Sequence, residues 1–342
     1  MKRIIVIGAG AMGSAFTIPC LDNKNEVHLL GTHLENSIID KIKNNDNYHP
    51  SLKINLSKDL KISKFENINS VFKSKIDIIV VAVSSLGINW FAEEISKYYQ
   101  NDCPIVLLTK GLTIENNEIS TLSEKIKKIL KSKGHKDIDI SAIKGPCLAS
   151  GLANKIRTGT VIANKDIKKA ELLKKTISTD YYSTEISNDV IGVEVCGAIK
   201  NIYSMLIGAS EGLSSINAST NIKSKFFLNT AASLVHRSIS EMVRFVKHLG
   251  GKEETVYGLA GLGDLYVSAI GGRNSQMGKY LGKGYLYKEA KLKFMKDTTV
   301  EGAELALEIG PSILKDFKSN DYPLMFSIVD TICSNKKLEI KW

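Results

Sequence analysis

Two polar residues, Lys200 and Asn201, interrupt a segment whose composition is that of a buried helix. The segment begins at Val193, and its small residues Cys196–Ala198 allow close packing against a neighbour. Burial disfavours the charged form of a lysine and shifts its pKa toward neutrality, which is the condition for proton transfer. The pattern indicates a candidate general acid or base at Lys200. Taken alone, the segment favours a solvated lysine on a helix surface, which is the simpler interpretation.

A second lysine, Lys110, follows a short apolar strand predicted at Pro104–Leu108. Ligands of open α/β sheets bind beyond the carboxyl ends of the strands, so Lys110 stands at the edge where an anionic group would lie. The alternative is a lysine that only carries its charge out to water.

Gly145 and Cys147 follow another predicted strand and precede a predicted helix. Backbone N–H groups at such a helix start can bind an anion, and the same position lowers the pKa of a thiol. The sequence places no histidine as a partner for Cys147, so a packing or hydrogen-bonding role is favoured over thiol catalysis.

The amino-terminal segment carries the pattern G-x-G-x-x-G, at Gly8, Gly10 and Gly13, directly after a predicted strand and before a predicted helix. The first glycine permits a tight turn, the second lets the backbone approach a pyrophosphate, and the third allows close packing of the helix. The context predicts dinucleotide binding at this helix start, where unpaired N–H groups are available.

The second predicted strand ends before Thr32 and His33, where a site selective for NAD would usually offer a carboxylate to the ribose. Without an acid there, a 2′-phosphate meets no repulsion, and both side chains can donate hydrogen bonds to it. The sequence therefore favours NADP slightly over NAD. Two alternatives remain open: Glu35 could reach back to the ribose, or backbone groups alone could hold it.

These positions lie on alternating strand and helix patterns in the first half of the chain, which are typical of a doubly wound parallel sheet. Beyond residue 188 the strand pattern gives way to long helical patterns. We expect an α/β domain over 1–188 and an all-helical domain over 189–342. The predicted strands are Lys2–Ile7, Glu26–Leu30, Asp77–Val83, Pro104–Leu108, Ile138–Ile143 and Thr160–Ala163, and the predicted helices include Ala11–Asp22, Gly87–Tyr99, Glu118–Lys133, Val190–Ile207 and Phe226–His248.

Composition restricts the partners and the location. The 342 residues carry 46 Lys and Arg against 36 Asp and Glu, but the lysines are dispersed and form no basic block with stacking aromatics, which argues against nucleic acid. No apolar run approaches the ~18 residues of a membrane span. The five cysteines contain no C-x-x-C pair, which indicates reduced thiols. We expect a cytoplasmic protein whose partner is a small anion.

Three later segments complete an ordered series of motifs: Gly258–Leu265, Gly271–Asn274 and Val300–Gly302. With them, the chain from about Arg3 to Cys333 resembles the NAD(P)-dependent sn-glycerol-3-phosphate dehydrogenase family. The resemblance implies a Rossmann-type domain, followed by a helical domain like that of 6-phosphogluconate dehydrogenase. It also implies reversible reduction of dihydroxyacetone phosphate to sn-glycerol 3-phosphate with NADP or NAD. Separately, the apolar faces of the predicted helical domain are compatible with a homodimer.

The resemblance also assigns roles to individual residues. It implies catalytic roles for Lys200, Lys110 and Asp264, with Asp264 orienting Lys200. The implied substrate contacts are Lys110, Gly145, Cys147, Lys200, Asn201, Asp264, Ser268, Arg273 and Asn274. The cofactor contacts, implied by the family or expected from the strand end, are Gly8, Gly10, Ala11, Met12, Gly13, Thr32, His33, Lys110, Ala149, Arg273 and Glu301. We expect no metal site.

The implied mechanism suits these residue types. Lys200 would donate a proton to the alkoxide that forms as hydride reaches the ketone carbon, and Lys110 would stabilise the same negative charge. The forked donors of Arg273 suit a phosphate dianion.

The sequence departs from the family pattern in two places. Lys144 replaces a usual serine, Cys147 a serine or threonine, and Leu148 an aromatic residue or histidine. Between Gly212 and Asn229 the chain is longer than expected, and Ala231 stands where a basic residue is expected. Two other functions therefore remain open: a related dehydrogenase acting on another 2-keto or 3-hydroxy acid, and a dinucleotide sensor without turnover.

Overall fold

The structure is a computed structural model that describes residues 1–100, 103–217 and 227–341. The chain divides into two compact units. The first contains residues 1–110 and 122–190, and the second contains residues 111–121 and 191–342. The predicted extra length between Gly212 and Asn229 falls mainly on 218–226, outside the described residues.

Twelve strands lie within the described part of the chain, and most of them are short, apolar and buried. Their bounds are β1 Arg3–Ile7, β2 Glu26–Leu30, β3 Tyr48–His49, β4 Ile54–Asn55, β5 Lys61–Ser63, β6 Ile78–Val81, β7 Ile105–Leu107, β8 Leu112–Glu115, β9 Glu118–Thr121, β10 Ile140–Lys144, β11 Thr158–Ala163 and β12 Tyr182–Ser187.

Fifteen α-helices connect or follow these strands in the described residues. Their bounds are α1 Ala11–Asp22, α2 Asn36–Lys43, α3 Ile68–Val71, α4 Ile88–Ile95, α5 Leu122–Ser132, α6 Ala149–Ala153, α7 Ile167–Ile177, α8 Val190–Asn217, α9 Phe227–His248, α10 Glu253–Tyr257, α11 Asp264–Gly271, α12 Arg273–Gly282, α13 Tyr287–Phe294, α14 Glu301–Asp316 and α15 Pro323–Cys333.

The first unit is built on an eight-stranded sheet with the order β12-β11-β10-β7-β6-β1-β2-β5. Side chains of β1 alternate between two cores: Ile4 and Val6 pack on one face of the sheet, and Ile5 and Ile7 on the other. Helices cover both faces, so the doubly wound fold predicted from the sequence is confirmed.

One strand pair differs from the parallel sheet that the sequence predicted. β10 and β11 are antiparallel, with Ala142 opposite Ala163. A parallel neighbour needs a crossover that usually contains a full helix, whereas the connection here holds only the five-residue helix α6.

The register of the central strands determines where ligands can bind. Ile7 at the end of β1 lies beside Leu30 of β2 and Val81 of β6, so the three strands end at the same level. The backbone N–H of Gly8 donates to the Leu30 carbonyl over 2.9 Å. The turns that follow these strands therefore share one edge of the sheet.

A hairpin replaces the first turn of a helix predicted at Glu118–Lys133. β8 and β9 pair antiparallel, and the two residues between them, Asn116 and Asn117, have φ values of 53° and 65°. Asparagine tolerates this left-handed conformation, which two-residue hairpin loops require. The hairpin packs against α14 within the second unit, and α5 begins only at Leu122.

The remainder of the second unit is helical in its described residues, and its longest helix is α8. The segment Val190–Ser215 is long and apolar enough to cross a membrane by length and composition, but 94% of its most apolar window is buried inside the protein. It has the character of a core helix.

Candidate active site

The glycine turn after β1 has the geometry that a dinucleotide requires. Gly8 has a φ of +115°, and a Cβ there would lie 2.6 Å from the Ala82 carbonyl oxygen. A Cβ on Gly13 would overlap the Gly8 carbonyl, whereas the space in front of Gly10 is open to 4.0 Å. α1 begins at Ala11 with no side-chain cap, so its first N–H groups are available for a pyrophosphate.

The peptide between the first two glycines is held by a side chain on each side. The Ala9 N–H donates to Oε2 of Glu35 over 3.0 Å, and the Ala9 carbonyl oxygen lies 3.1 Å from Nε2 of His49. The Leu52 N–H donates to Nδ1 of His49, which places the imidazole proton on Nε2. Burial lowers the pKa of His49. The turn is therefore fixed before any ligand binds.

Sequence analysis did not identify His49 as a functional residue. It lies on the two-residue strand β3, which pairs with β4 in a small separate sheet. Its contact with Ala9 joins residues 40 positions apart, and a single histidine in an irregular segment carries no pattern that predicts such a contact.

Thr32 and His33 lie beyond the carboxyl end of β2, the edge at which the sequence predicted cofactor contacts. The Thr32 backbone N–H donates to Oε2 of Glu35 over 2.8 Å. The exposed His33 ring lies 4.7 Å from the Trp90 ring, centre to centre. Glu35 therefore reaches back to the glycine turn, and its contact with the ribose stays a prediction.

Lys110 is the last residue of the first unit and follows β7 at the same edge of the sheet. The preceding Thr109 is anchored, because its hydroxyl donates to the Val83 carbonyl over 2.7 Å. Val83 belongs to the loop after β6. The loop that contains the half-buried Lys110 is therefore hydrogen-bonded to the adjacent loop.

The loop after β10 is tightly built, but it differs from the prediction in one respect. Gly145 has a φ of +142°, and a Cβ there would lie 2.9 Å from the Thr160 Cα. The N–H of Cys147 donates to the Gly145 carbonyl over 2.8 Å, so it is engaged within the loop, and its contact with an anion stays a prediction. Cys147 packs partly buried against the core of the sheet, together with Ala149, the first residue of α6.

Lys144, which replaces a serine of the family pattern, is buried at the end of β10. Only 2% of it is exposed, and its Nζ donates to the Leu107 carbonyl over 2.9 Å. The ammonium therefore joins the ends of two adjacent parallel strands, β7 and β10.

The second unit brings together three of the predicted residues around one ammonium group. Nζ of Lys200 lies 2.9 Å from Oδ1 of Asp264, and their side chains are 5% and 3% exposed. Nζ also donates to the Ser268 hydroxyl oxygen. A buried ammonium with these partners has a fixed direction and can pass a proton to a group brought against it.

The backbone before α11 explains why Asp264 and Ser268 both reach Lys200. Residues Leu259–Gly263 form one π-helical turn, and a Cβ on Gly261 would overlap the Val256 carbonyl. π-Turns of this kind occur often at functional sites because they redirect the helix that follows. α11 begins at Asp264, and Ser268 lies one turn later on the same face.

Asn201, the neighbour of Lys200, belongs to a second cluster. Asn274 donates from Nδ2 to Oδ1 of Asn201 over 3.0 Å and accepts at Oδ1 from the Gly302 N–H over 2.8 Å. Glu301 accepts from Nδ2 of Asn201 over 3.3 Å and from Nη2 of Arg273 over 2.9 Å. The amide of Asn274 thus orders the cluster, while the Arg273 side chain remains 55% exposed and accessible to an anion.

Small residues bring α8 and α12 close enough for these contacts. A Cβ on Gly278 would overlap the Met205 carbonyl, and Cβ atoms on Gly208, Gly212 and Gly282 would likewise overlap backbone of the facing helix. Glycines four residues apart on both helices leave room for a close backbone contact. This contact places Asn274, in the first turn of α12, against Asn201 on α8.

Comparisons with known proteins cover nearly the whole chain. Residues 3–170 match the family model described as NAD-dependent glycerol-3-phosphate dehydrogenase N-terminus, and residues 189–340 match the corresponding C-terminus. The NADP(+)-dependent glycerol-3-phosphate dehydrogenase of Archaeoglobus fulgidus is 32% identical over 323 residues, which are 93% of this chain and 92% of that relative. Glycerol-3-phosphate dehydrogenase [NAD(P)+] of Bacillus velezensis is 29% identical over 290 residues, 83% of this chain and 78% of the relative.

Solved structures show the same fold. Glycerol-3-phosphate dehydrogenase from Coxiella burnetii matches with a TM-score of 0.80 and 24% identity, over 98% of this chain and 96% of that one. The enzyme from Saccharomyces cerevisiae matches with a TM-score of 0.81 and 21% identity, again over 98% and 96%.

Proposed function

Because the chain belongs to the NAD-dependent glycerol-3-phosphate dehydrogenase family, we propose that it reduces dihydroxyacetone phosphate reversibly to sn-glycerol 3-phosphate with a nicotinamide dinucleotide. The observation that carries the proposal is the buried cluster of Lys200, Asp264 and Ser268. Such a cluster suits proton transfer to an oxygen, which ketone reduction requires.

Lys200 has the central role in the proposed reaction. A bound reduced nicotinamide supplies hydride to the ketone carbon. As negative charge develops on the ketone oxygen, Nζ of Lys200 gives up a proton, and the oxygen becomes the new hydroxyl. Asp264 stabilises the ammonium before transfer and holds Nζ in place, and the neutral amine is reprotonated from solvent before the next turnover.

The other residues bind and orient the substrate in this proposal. Arg273 is exposed and offers two forked donors to a phosphate, although Glu301 already engages Nη2. Lys110 supplies a second positive charge for the developing oxyanion. Asn274 donates to Asn201, and Asn201 donates to the Glu301 carboxylate that pairs with Arg273, so we assign the two asparagines the positioning of Arg273.

The cofactor fits the turn between β1 and α1. Gly8, Gly10 and Gly13 leave the backbone accessible to a pyrophosphate, and the N–H groups of Ala11 and Met12 lie in the uncapped first turn. Thr32, His33 and Ala149 remain proposed contacts. The reaction product is the backbone of glycerophospholipids, so the proposed role is to supply their synthesis.

Location and assembly are part of the same proposal. The five cysteines contain no C-x-x-C pair, which indicates reduced thiols, and on this ground we place the enzyme in the cytoplasm. A homodimer is a further expectation, which light scattering of the purified chain tests.

A substrate panel tests the proposed activity. The purified chain is incubated with reduced nicotinamide and, separately, with dihydroxyacetone phosphate, with dihydroxyacetone and with a 2-keto acid such as pyruvate. We expect turnover with the phosphate ester and formation of sn-glycerol 3-phosphate, identified by NMR. Turnover only with the keto acid would move the assignment to a related dehydrogenase, and cofactor binding without turnover on any substrate would indicate a sensor.

A further inference from the structure

We propose that Glu35 makes the dinucleotide site selective for NAD over NADP. The inference deepens the proposed function, and it rests on that function only in requiring a nicotinamide dinucleotide to bind at the glycine turn.

The carboxylate of Glu35 is fixed at the end of β2. Its Oε2 accepts from the Thr32 N–H over 2.8 Å and from the Ala9 N–H over 3.0 Å. One of these donors follows β2, and the other lies inside the glycine turn after β1. Two hydrogen bonds to a single carboxylate oxygen restrict the side chain to this position.

The second oxygen faces the place where a ligand would enter. Oε1 lies 4.0 Å from the position that a Cβ of Gly10 would take, and it is the nearest atom in that direction. Across the described residues, no hydrogen bond is donated to Oε1. An acceptor beside the second glycine of the turn, at the end of the second strand, is where dinucleotide sites receive the adenosine ribose.

A ribose and its 2′-phosphate ester make opposite demands on this oxygen. The 2′-hydroxyl of NAD can donate a hydrogen bond to Oε1. The 2′-phosphate of NADP replaces that donor with a group that is predominantly dianionic at neutral pH, and a fixed carboxylate repels it. Because both hydrogen bonds to Oε2 come from the backbone, Glu35 cannot turn away without leaving them unmade.

The lysine that follows the neighbouring strand β5 already has an acidic partner. Lys64, which follows β5 at this edge, forms an ion pair with Asp40 over 2.8 Å. His33 lies against Trp90. The charge of Lys64 is therefore already compensated by Asp40.

The absence of an acid at Thr32 and His33 favoured NADP at the level of sequence, and the relative from Archaeoglobus fulgidus is named as NADP(+)-dependent. The structure places the acid at Glu35, three residues beyond Thr32, with its carboxylate folded back. Selectivity for the 2′-hydroxyl or the 2′-phosphate depends on a few side chains at one strand end. These side chains can differ between this chain and a relative that is 32% identical to it.

Direct binding tests the proposal without reference to catalysis. Dissociation constants for NADH and NADPH are measured by isothermal titration calorimetry on the wild type, on Glu35→Gln and on Glu171→Gln, which removes the same charge from the exposed face of α7. We expect the wild type and Glu171→Gln to bind NADH about tenfold more tightly than NADPH. Glu35→Gln should reduce this ratio about tenfold, mainly through tighter NADPH binding, since an amide still accepts the backbone hydrogen bonds.

Three results would overturn the proposal: NADPH binding as tight as NADH binding in the wild type, an unchanged ratio in Glu35→Gln, or binding of neither nucleotide. The wild-type ratio does not depend on the folding of any variant. Turnover of dihydroxyacetone phosphate with a preference for NADPH would reject the role of Glu35 and keep the proposed reaction. NADH-selective binding without turnover would support the role of Glu35 and reject the proposed reaction.

Discussion

The ammonium of Lys200 and the carboxylate of Asp264 form a buried ion pair, with 2.9 Å between Nζ and Oδ1. Two charges taken out of water are tolerated when they are paired and further hydrogen-bonded, and the Ser268 hydroxyl provides that additional partner. Removing one charge leaves the other without compensation. The pair therefore links the chemistry of the site to the stability of the second unit.

Asp264→Asn should reduce kcat by about 10- to 100-fold and change KM much less, because the amide keeps the shape but no longer holds the charged Nζ. Steady-state kinetics with dihydroxyacetone phosphate measure both constants. Asp316→Asn, at the end of α14, is the control and should match the wild type. A change confined to KM would show that Asp264 serves binding and does not position Lys200.

His49→Gln should weaken dinucleotide binding about tenfold, because the Ala9 carbonyl loses a fixed donor and the glycine turn is less ordered before binding. Calorimetry with NADH measures the effect. His135→Gln is a matched control, since Nε2 of His135 also lies against a backbone carbonyl, that of Ser96, at 2.7 Å. Equal loss of affinity in both variants would contradict a specific role for His49.

Gly278→Ala should destabilise the protein by about 1–3 kcal/mol, because the added methyl group overlaps the Met205 carbonyl and separates α8 from α12. Urea unfolding gives the free energy. Gly271→Ala, which meets no atom within 4 Å, is the control and should change it by less than about 1 kcal/mol. We also expect Gly278→Ala to lower activity, since Asn274 lies one turn earlier on α12. Wild-type stability in this variant would contradict the close helix contact.

Buried His28 should make stability fall in mildly acidic solution. Burial, reinforced by the charges of Arg3 and Lys61, lowers the pKa of His28 to about 4. Between this value and the ordinary pKa of about 6.5, His28 is protonated in the unfolded chain and neutral in the folded chain. The contribution of neutral His28 to the free energy of unfolding is fully present above about pH 6.5. It is lost as the pH drops toward 4, and the loss is on the order of 3 kcal/mol.

Urea unfolding of the wild type and of His28→Gln between pH 7 and 4 measures this dependence. The variant should lose less stability over the same interval, because glutamine does not titrate. His49 contributes in the same direction, since burial lowers its pKa as well. Parallel curves for the two proteins would contradict the assignment to His28.

Local sequence patterns were sufficient for the elements whose signals are periodic. α1 and β2 were predicted at Ala11–Asp22 and Glu26–Leu30, and the structure has those bounds. Apolar spacing and the glycine turn fix these elements locally. The hairpin at residues 112–121 was missed, because its signal is a pair of asparagines with positive φ and a helical pattern overlapped it.

Contacts between distant residues were not accessible to such patterns. Lys200 and Asp264 are separated by 64 positions, and only the resemblance to a family associated them before the structure placed them together. The position of the Glu35 carboxylate depends on backbone N–H groups that follow two different strands. The contact of His49 with Ala9 depends on a small separate sheet. These contacts arise from tertiary packing, which one-dimensional periodicity does not encode.

The measurement that tests the account most directly is the rate of dihydroxyacetone phosphate reduction in Lys200→Ala, followed as loss of reduced-nicotinamide absorbance. Lys315→Ala, whose side chain is 81% exposed on α14, is the control. The account predicts a fall in kcat of about 10²- to 10⁴-fold in Lys200→Ala, with cofactor binding retained and Lys315→Ala unchanged. A rate in Lys200→Ala within a few-fold of the wild type would show that another group donates the proton and would contradict the proposed mechanism.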